Sequence, residues 1–236
     1  MYERVKGREI IYLDETWVNA GHTVSKELKD VNIKTKHQAQ LAGFSTGLKI
    51  PRGRGPRFVI LHAGSARGFV DGAKLVYLAK KRLGDYHDEI DSTRFEEWFK
   101  SQLIPNIGEG SVIVMDNATY HRRKPEQIST SSNTKLDMET WLKSKDIAYP
   151  ERSFKIELLR IVNSVREKYT SYEVDELAKE RNIVVCRSPP YHCELNAIEM
   201  VWSQLKRHIA SNNVSFLTKE MPSLIDNAFT QISKES

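Results

Sequence analysis

The sequence predicts a mixed α/β domain on a central five-stranded sheet, flanked by helices. Three observations predict it. Apolar, β-rich runs at 8–14, 58–63 and 69–78 are joined by turn chemistry with no helical pattern between them, as in an antiparallel meander. Two further β-branched runs, at 112–115 and 183–186, are set apart by stretches of helical periodicity. An amphipathic stripe then follows the last run, over 198–209.

Taken in order, residues 8–14 read as the first strand and 17–35 as polar chain without clear period. Two prolines and two glycines make 49–56 a loop. The second strand follows at Phe58–Ala63, and a turn around Ala66-Arg67-Gly68 leads into a third within Phe69–Leu78. Phe95, Trp98, Phe99 and Leu103 recur at helical spacing, which predicts a helix from a Ser92 cap to about Leu103. Val112–Met115 is the fourth strand. Within 126–181 the pattern is helical: one short helix around Met138, Trp141 and Leu142, a second from Ile156 to Tyr169, a third over Tyr172–Arg181. Ile183–Cys186 is the fifth strand and Ser188-Pro189-Pro190-Tyr191 a turn. A helix follows over 198–209, then another over 217–232, interrupted near Pro222, and a loose tail at 233–236.

The 236 residues suffice for one large domain with a sizeable core. No apolar run approaches the ~18 residues of a spanning helix, and Met1–Lys6 lacks the apolar centre of a signal peptide. Only Cys186 and Cys193 are present, which argues against a disulfide framework and for an intracellular protein. With His192 they do not make a standard zinc spacing. The net charge of +5, from 36 basic and 31 acidic residues, is a mild excess. Its clustering says more: Arg52, Arg54 and Arg57 in the Gly/Pro loop, Lys80-Lys81-Arg82, and His121-Arg122-Arg123-Lys124 are groupings that neutralise phosphates, although each also suits a solvated surface.

Three acids stand in distinctive contexts: Asp14 in Ile10-Ile11-Tyr12-Leu13-Asp14-Glu15-Thr16-Trp17, Asp116 in Val112-Ile113-Val114-Met115-Asp116-Asn117, and Glu199 in Leu195-Asn196-Ala197-Ile198-Glu199-Met200-Val201-Trp202. Singly, the two aspartates suit strand-end turns and Glu199 suits the positive end of a helix. Should the first and fourth strands lie parallel, both aspartates reach the sheet edge where ligands of open α/β sheets bind. Carboxylates converging there repel one another unless a cation intervenes, and hard oxygen donors suit Mg²⁺ or Mn²⁺.

These blocks resemble mariner-type transposases of the DDE group. The resemblance lies in Leu13-Asp14-Glu15-Thr16, in Met115-Asp116-Asn117-Ala118 with His121, and in Ser188-Pro189-Pro190-Tyr191 leading to Leu195-Asn196-Ala197-Ile198-Glu199 and Trp202. It implies a ribonuclease-H-like fold, a three-strand antiparallel meander extended by two parallel strands. It implies two Mg²⁺ or Mn²⁺ ions held by Asp14, Asp116 and Glu199, with Asp14 bridging. It also implies nicking of DNA by water, joining of the freed 3′-hydroxyl to target DNA, action as a homodimer, and a nuclear location in a eukaryote. The sequence departs from the family where Ser-Pro-Asp usually precedes the third acid and His192-Cys193-Glu194 stands here. The long stretch between Asp116 and Glu199 marks 126–181 as a helical insertion in a catalytic domain spanning 1–236. No helix-turn-helix precedes Asp14, so the chain is expected to be a catalytic core without sequence-specific recognition.

Around the acids, His121, Arg122, Arg123, Lys206, Arg52 and Arg54 are candidate DNA contacts, with His121 also placed to orient a water. Trp202 is expected to pack beneath the site, and Asn117 and Asn196 to orient the carboxylates. Strand alternation turns Glu15 to the opposite face from Asp14. Two rival readings remain: a host-adopted, non-catalytic relative that binds DNA or protein, and a ribonuclease of the same fold.

Overall fold

The computed structural model describes residues 7–23, 41, 53–79, 91–190 and 192–235. Arg52 and the Lys80-Lys81-Arg82 cluster lie outside the described residues.

Strand β1 (Ile10–Asn19) is longer than the apolar run that announces it. It continues because β2 (Arg57–Ser65) pairs with it antiparallel from Tyr12 to Asn19. Beyond β1, the Gly21 amide donates to the Arg54 carbonyl at 2.9 Å. A Cβ on Gly21 would stand 2.7 Å from the Gly53 carbonyl oxygen, so only glycine permits this approach.

The third strand arrives in two pieces, β3 (Gly68–Phe69) and β4 (Leu75–Leu78), both antiparallel to β2. Between them a turn through Gly72 (φ +76°) folds Val70 and Ala73 into the core. The Trp98 indole donates to the Ala73 carbonyl at 2.9 Å, so the turn is tied down from above. Among the described residues the sheet therefore has six strands rather than the five expected.

β5 (Val112–Met115) pairs parallel with β1 over Ile10–Tyr12 only, and β6 (Val184–Arg187) pairs parallel with β5. The order β3-β2-β1-β5-β6, with β4 also on β2, is a meander extended on its β1 side by two parallel strands. That is the ribonuclease-H-like arrangement.

Helices cover both faces. On one, α1 (Ser92–Trp98) continues through a wider π turn (Phe99–Leu103) and a 3₁₀ turn ending at Asn106. Its cap is Asp91 rather than Ser92: the Asp91 carboxylate accepts the Arg94 amide at 2.7 Å. Phe95, Trp98, Phe99 and Leu103 pack there with Ile11, Leu13, Val59 and Leu61. The opposite face carries α5 (Ile198–Asn212) and α6 (Met221–Glu235). Ile198, Trp202, Leu205 and Ile209 meet Ile225, Phe229, Val18 and Ile60 there, and each fully buried aliphatic or Phe contributes about 1.5–3 kcal/mol. Pro222 does not interrupt α6. It occupies the first turn, where the missing N–H has no partner to lose.

Between β5 and β6 lie α2 (Lys135–Ser144), α3 (Lys155–Tyr169) and α4 (Glu173–Lys179). Thr134 and Asp137 cap α2 reciprocally. Met138, Trp141, Leu142, Leu158 and Val162 form a core of their own with Ile128, whereas Val174 and Ala178 of α4 belong to the sheet's core. The residues of α2 and α3 thus keep a core apart from that of the sheet. Among the described residues no helix is long and apolar enough to cross a membrane.

Candidate active site

Strands β1 and β5 run side by side for three residue pairs and then part, because β1 continues and β5 ends at Met115. Asp14 sits two residues past the last shared pair, and Asp116 follows the last residue of β5. Each is therefore delivered to the same fork by the strand before it. On the far side of the fork, Asn196 donates to the Leu13 carbonyl at 2.9 Å and so fixes the start of α5 beside Asp14. Glu199 lies in the first turn of that helix.

β1 alternation points Asp14 toward α5, where the Trp202 indole donates to its Oδ2 at 3.0 Å. Trp202 is buried as expected, and in addition supplies a hydrogen bond. Burial pushes the Asp14 carboxyl well above the usual range, and the charges of Glu15, Glu199 and Asp116 push it further in that order. Burial also raises Glu199. Lys206 opposes that rise and Asp116 adds to it. The three acids thus sense one another across more than 180 residues of chain. Replacing Trp202 with Phe keeps the ring and removes the donor. A loss of about 1–3 kcal/mol is expected in chemical denaturation at neutral pH.

Lys206, two turns along α5 from Glu199, faces the same side. Burial lowers its pKa while Glu199 and Asp14 hold it up, and its Nζ lies 4.6 Å from the centroid of the Trp17 ring. Arg57 approaches the same ring at 5.9 Å.

The other basic candidates divide. Arg122 and Arg54 are exposed. Arg123 is committed to an ion pair with the buried Glu96. His121 is not an outward-facing DNA contact, because its side chain is fully buried. Its Nε2 lies 3.1 Å from Glu15 Oε1 and its Nδ1 2.8 Å from Asp116 Oδ1. The second approach lies off the ring's N–H axis, so it is a charge contact more than a straight hydrogen bond. Burial alone would lower the imidazole pKa, but the Glu15 and Asp116 carboxylates overcome it and raise it to about 9.

Glu15 is the residue that sequence reasoning undervalued. It does lie on the face opposite Asp14, yet it reaches Asp116 through His121. The available signal was its register with Ile11 and Leu13, since an acid on a core face of a strand requires a partner.

Among the described residues, no group of three or more His, Cys, Asp or Glu side chains is arranged to hold a metal ion. The chemistry of the donors nevertheless fits a divalent cation. Asp14, Asp116 and Glu199 offer hard oxygens, and the burial and repulsion that together raise Asp14 are what a bound cation offsets. The Asn196 Oδ1 atom, buried and without a protein partner, adds a further polar group at the fork.

A family model described as DDE superfamily endonuclease matches residues 75–221, more than half of the chain. The chain is similar to the crystal structure of the Mos1 mariner paired end complex with Mn, at 10% identity and a TM-score of 0.31. The match covers 98% of this chain and 58% of that one. No curated protein matches.

Proposed function

Because the chain belongs to the DDE superfamily endonucleases, we propose that it is a metal-dependent DNA cleavage and strand-transfer core, with Asp14, Asp116 and Glu199 as its catalytic carboxylates. The observation that carries the reading is the delivery of Asp14 and Asp116 to one fork by β1 and β5, with Glu199 in the first turn of the helix that Asn196 and Trp202 tie to β1 there. The three acids would hold two Mg²⁺ or Mn²⁺ ions, which when bound supply activation of the attacking oxygen and stabilisation of the leaving one. In the proposed reaction a water oxygen bonds to phosphorus as the P–O3′ bond breaks. The freed 3′-hydroxyl then attacks a phosphodiester of a second strand, so that one ester is exchanged for another.

The protein's own contribution is positioning. Trp202 fixes the Asp14 carboxylate and Asn196 fixes the approach of α5. Lys206 places a cation where a substrate phosphate would meet the acids. The segment 126–181, with its separate core at α2 and α3, is read as an insertion that carries a DNA or partner contact.

The test is cleavage of supercoiled DNA by the chain in Mn²⁺, with and without chelator, and in competition with an RNA–DNA hybrid. Chelator-sensitive nicking that duplex DNA competes for best is the expected result. Binding without nicking would identify a non-catalytic relative, and preference for the hybrid a ribonuclease. Lys206→Gln should weaken binding to all duplex sequences alike and flatten the log-affinity against log-salt slope by about one, read by fluorescence anisotropy over a salt series.

A further inference from the structure

We infer that Glu15 and His121 form a buried brace that holds the Asp116 carboxylate in its working orientation. The inference rests on the reading of Asp116 as a metal-holding acid. Neither brace residue is placed to touch substrate; both act through Asp116.

The pair is an expensive way to fill a core. Side chains of Glu15 and His121 are 1% and 0% exposed, and the imidazole is packed against the Phe95 and Tyr120 rings at centroid distances of 4.2 and 4.4 Å. Taking an ion pair out of water costs several kcal/mol per ion, and apolar residues of similar volume often serve stability as well or better. What apolar residues do not supply is a rigid bridge. The imidazole spans from a carboxylate anchored in the middle of β1 to a carboxylate that stands just beyond β5.

Asp116 needs such support. The ladder holding β5 to β1 has already ended, and Asp116 lies one residue past the strand itself. Its side chain is 41% exposed, so packing does not fix it. Two contacts converge on a single oxygen, Oδ1: the Ala118 amide donates to it at 3.1 Å and His121 Nδ1 makes a charge contact with it at 2.8 Å. Together they restrain rotation of the carboxylate. His121 is in turn seated in the 3₁₀ turn Thr119–Arg122, where its amide donates to Ala118. Glu15 fixes the remaining freedom, the ring's rotation, by engaging Nε2. The Glu15 contact thus sets where the Asp116 oxygens point, through an intermediary that never leaves the core.

The test is Mn²⁺ affinity, measured by electron paramagnetic resonance, with thermal unfolding of each metal-free variant alongside. Glu15→Ala is expected to weaken Mn²⁺ binding by about 10–100-fold. Glu15→Gln keeps an oxygen that Nε2–H reaches, and should recover affinity to within about threefold of the parent. A structural role alone would lower the unfolding temperature of Glu15→Ala without separating the two variants in affinity. Should Glu15→Ala fail to fold, the parent still decides the matter. During Mg²⁺ titration the His121 ring resonances, assigned with His121→Gln, should move in parallel with binding. Static His121 resonances during saturable Mg²⁺ binding overturn the brace. So does parent-like affinity in Glu15→Ala when Asp116→Ala has lost binding, and the functional reading then stands. Unchanged binding in Asp116→Ala overturns that reading, and the brace with it.

Discussion

Asp116→Ala is expected to abolish Mn²⁺-dependent nicking, lowering the rate by at least about 10³-fold, because on the proposed reading the lost carboxylate would hold a metal ion at the reacting phosphate. Asp14→Asn should be equally inactive, but its stability should move the other way. Burial first, and then the charges of Glu15, Glu199 and Asp116, raise the pKa of Asp14. Its folded form therefore binds a proton more tightly than the unfolded chain does. The stability it allows is fully present below the ordinary carboxylate pKa of 3.8 and is lost as pH rises through the folded value. Asparagine keeps an oxygen for the Trp202 donor and removes the charge. At pH 7 without metal, Asp14→Asn should melt about 2–8 °C higher than the parent, corresponding to roughly 1–2 kcal/mol. The checks are nicking of supercoiled DNA and calorimetry on the same preparations. An active Asp116→Ala variant, or an Asp14→Asn variant that melts below the parent, would contradict the arrangement of the site.

The second large effect concerns acid. His62 lies directly opposite Asp14 in the β1–β2 register, stacked on Phe69 at 4.7 Å and tilted against Phe229 at 5.2 Å. Burial first, and Lys74 second, lower its pKa to about 3. The folded protein thus holds it neutral while the unfolded chain protonates it below about 6.5. Stability is present above that value and is lost as pH falls through about 3, at up to ~1.4 kcal/mol per pH unit. Between pH 6.5 and 5 the loss attributable to His62 is about 2 kcal/mol, or about 4–8 °C in unfolding temperature. Asp14 acts with the opposite sign in acid. His121, raised to about 9, contributes stability that is present below 6.5 and lost as pH climbs through 9. The clean measurement is therefore the difference in pH slope between the parent and His62→Phe. A slope as steep in the variant as in the parent would show that His62 is not the source.

Much of this layout is legible in the residues themselves. The apolar run Ile10–Leu13, the β-branched Val112–Met115 and the stripe Ile198, Trp202, Leu205 and Ile209 state their own geometry, because composition and period are local properties. The parallel pairing of β1 with β5 is not local, and no stretch of sequence encodes it. The same applies to the far end of β1, where Thr16, Trp17 and Val18 stay extended only because β2 lies alongside. Asp91 rather than Ser92 capping α1 is a one-residue matter decided by backbone angles. The Glu15–His121 contact joins residues 106 apart. It becomes visible only when the core side of β1 is known to run past Leu13.

Strands β5 and β6 lie parallel and in register from Val112 opposite Val184 to Met115 opposite Arg187, so the chain leaves at the end where the acids gather and must travel the length of the sheet before it re-enters at Val184. Part of that path stays with the sheet: His121 touches Asp116, and Val174 and Ala178 join the sheet's core. The stretch between them that wraps a core of its own, from Ile128 to Val162, is the part whose remodelling changes the outline of the molecule and leaves its chemistry in place.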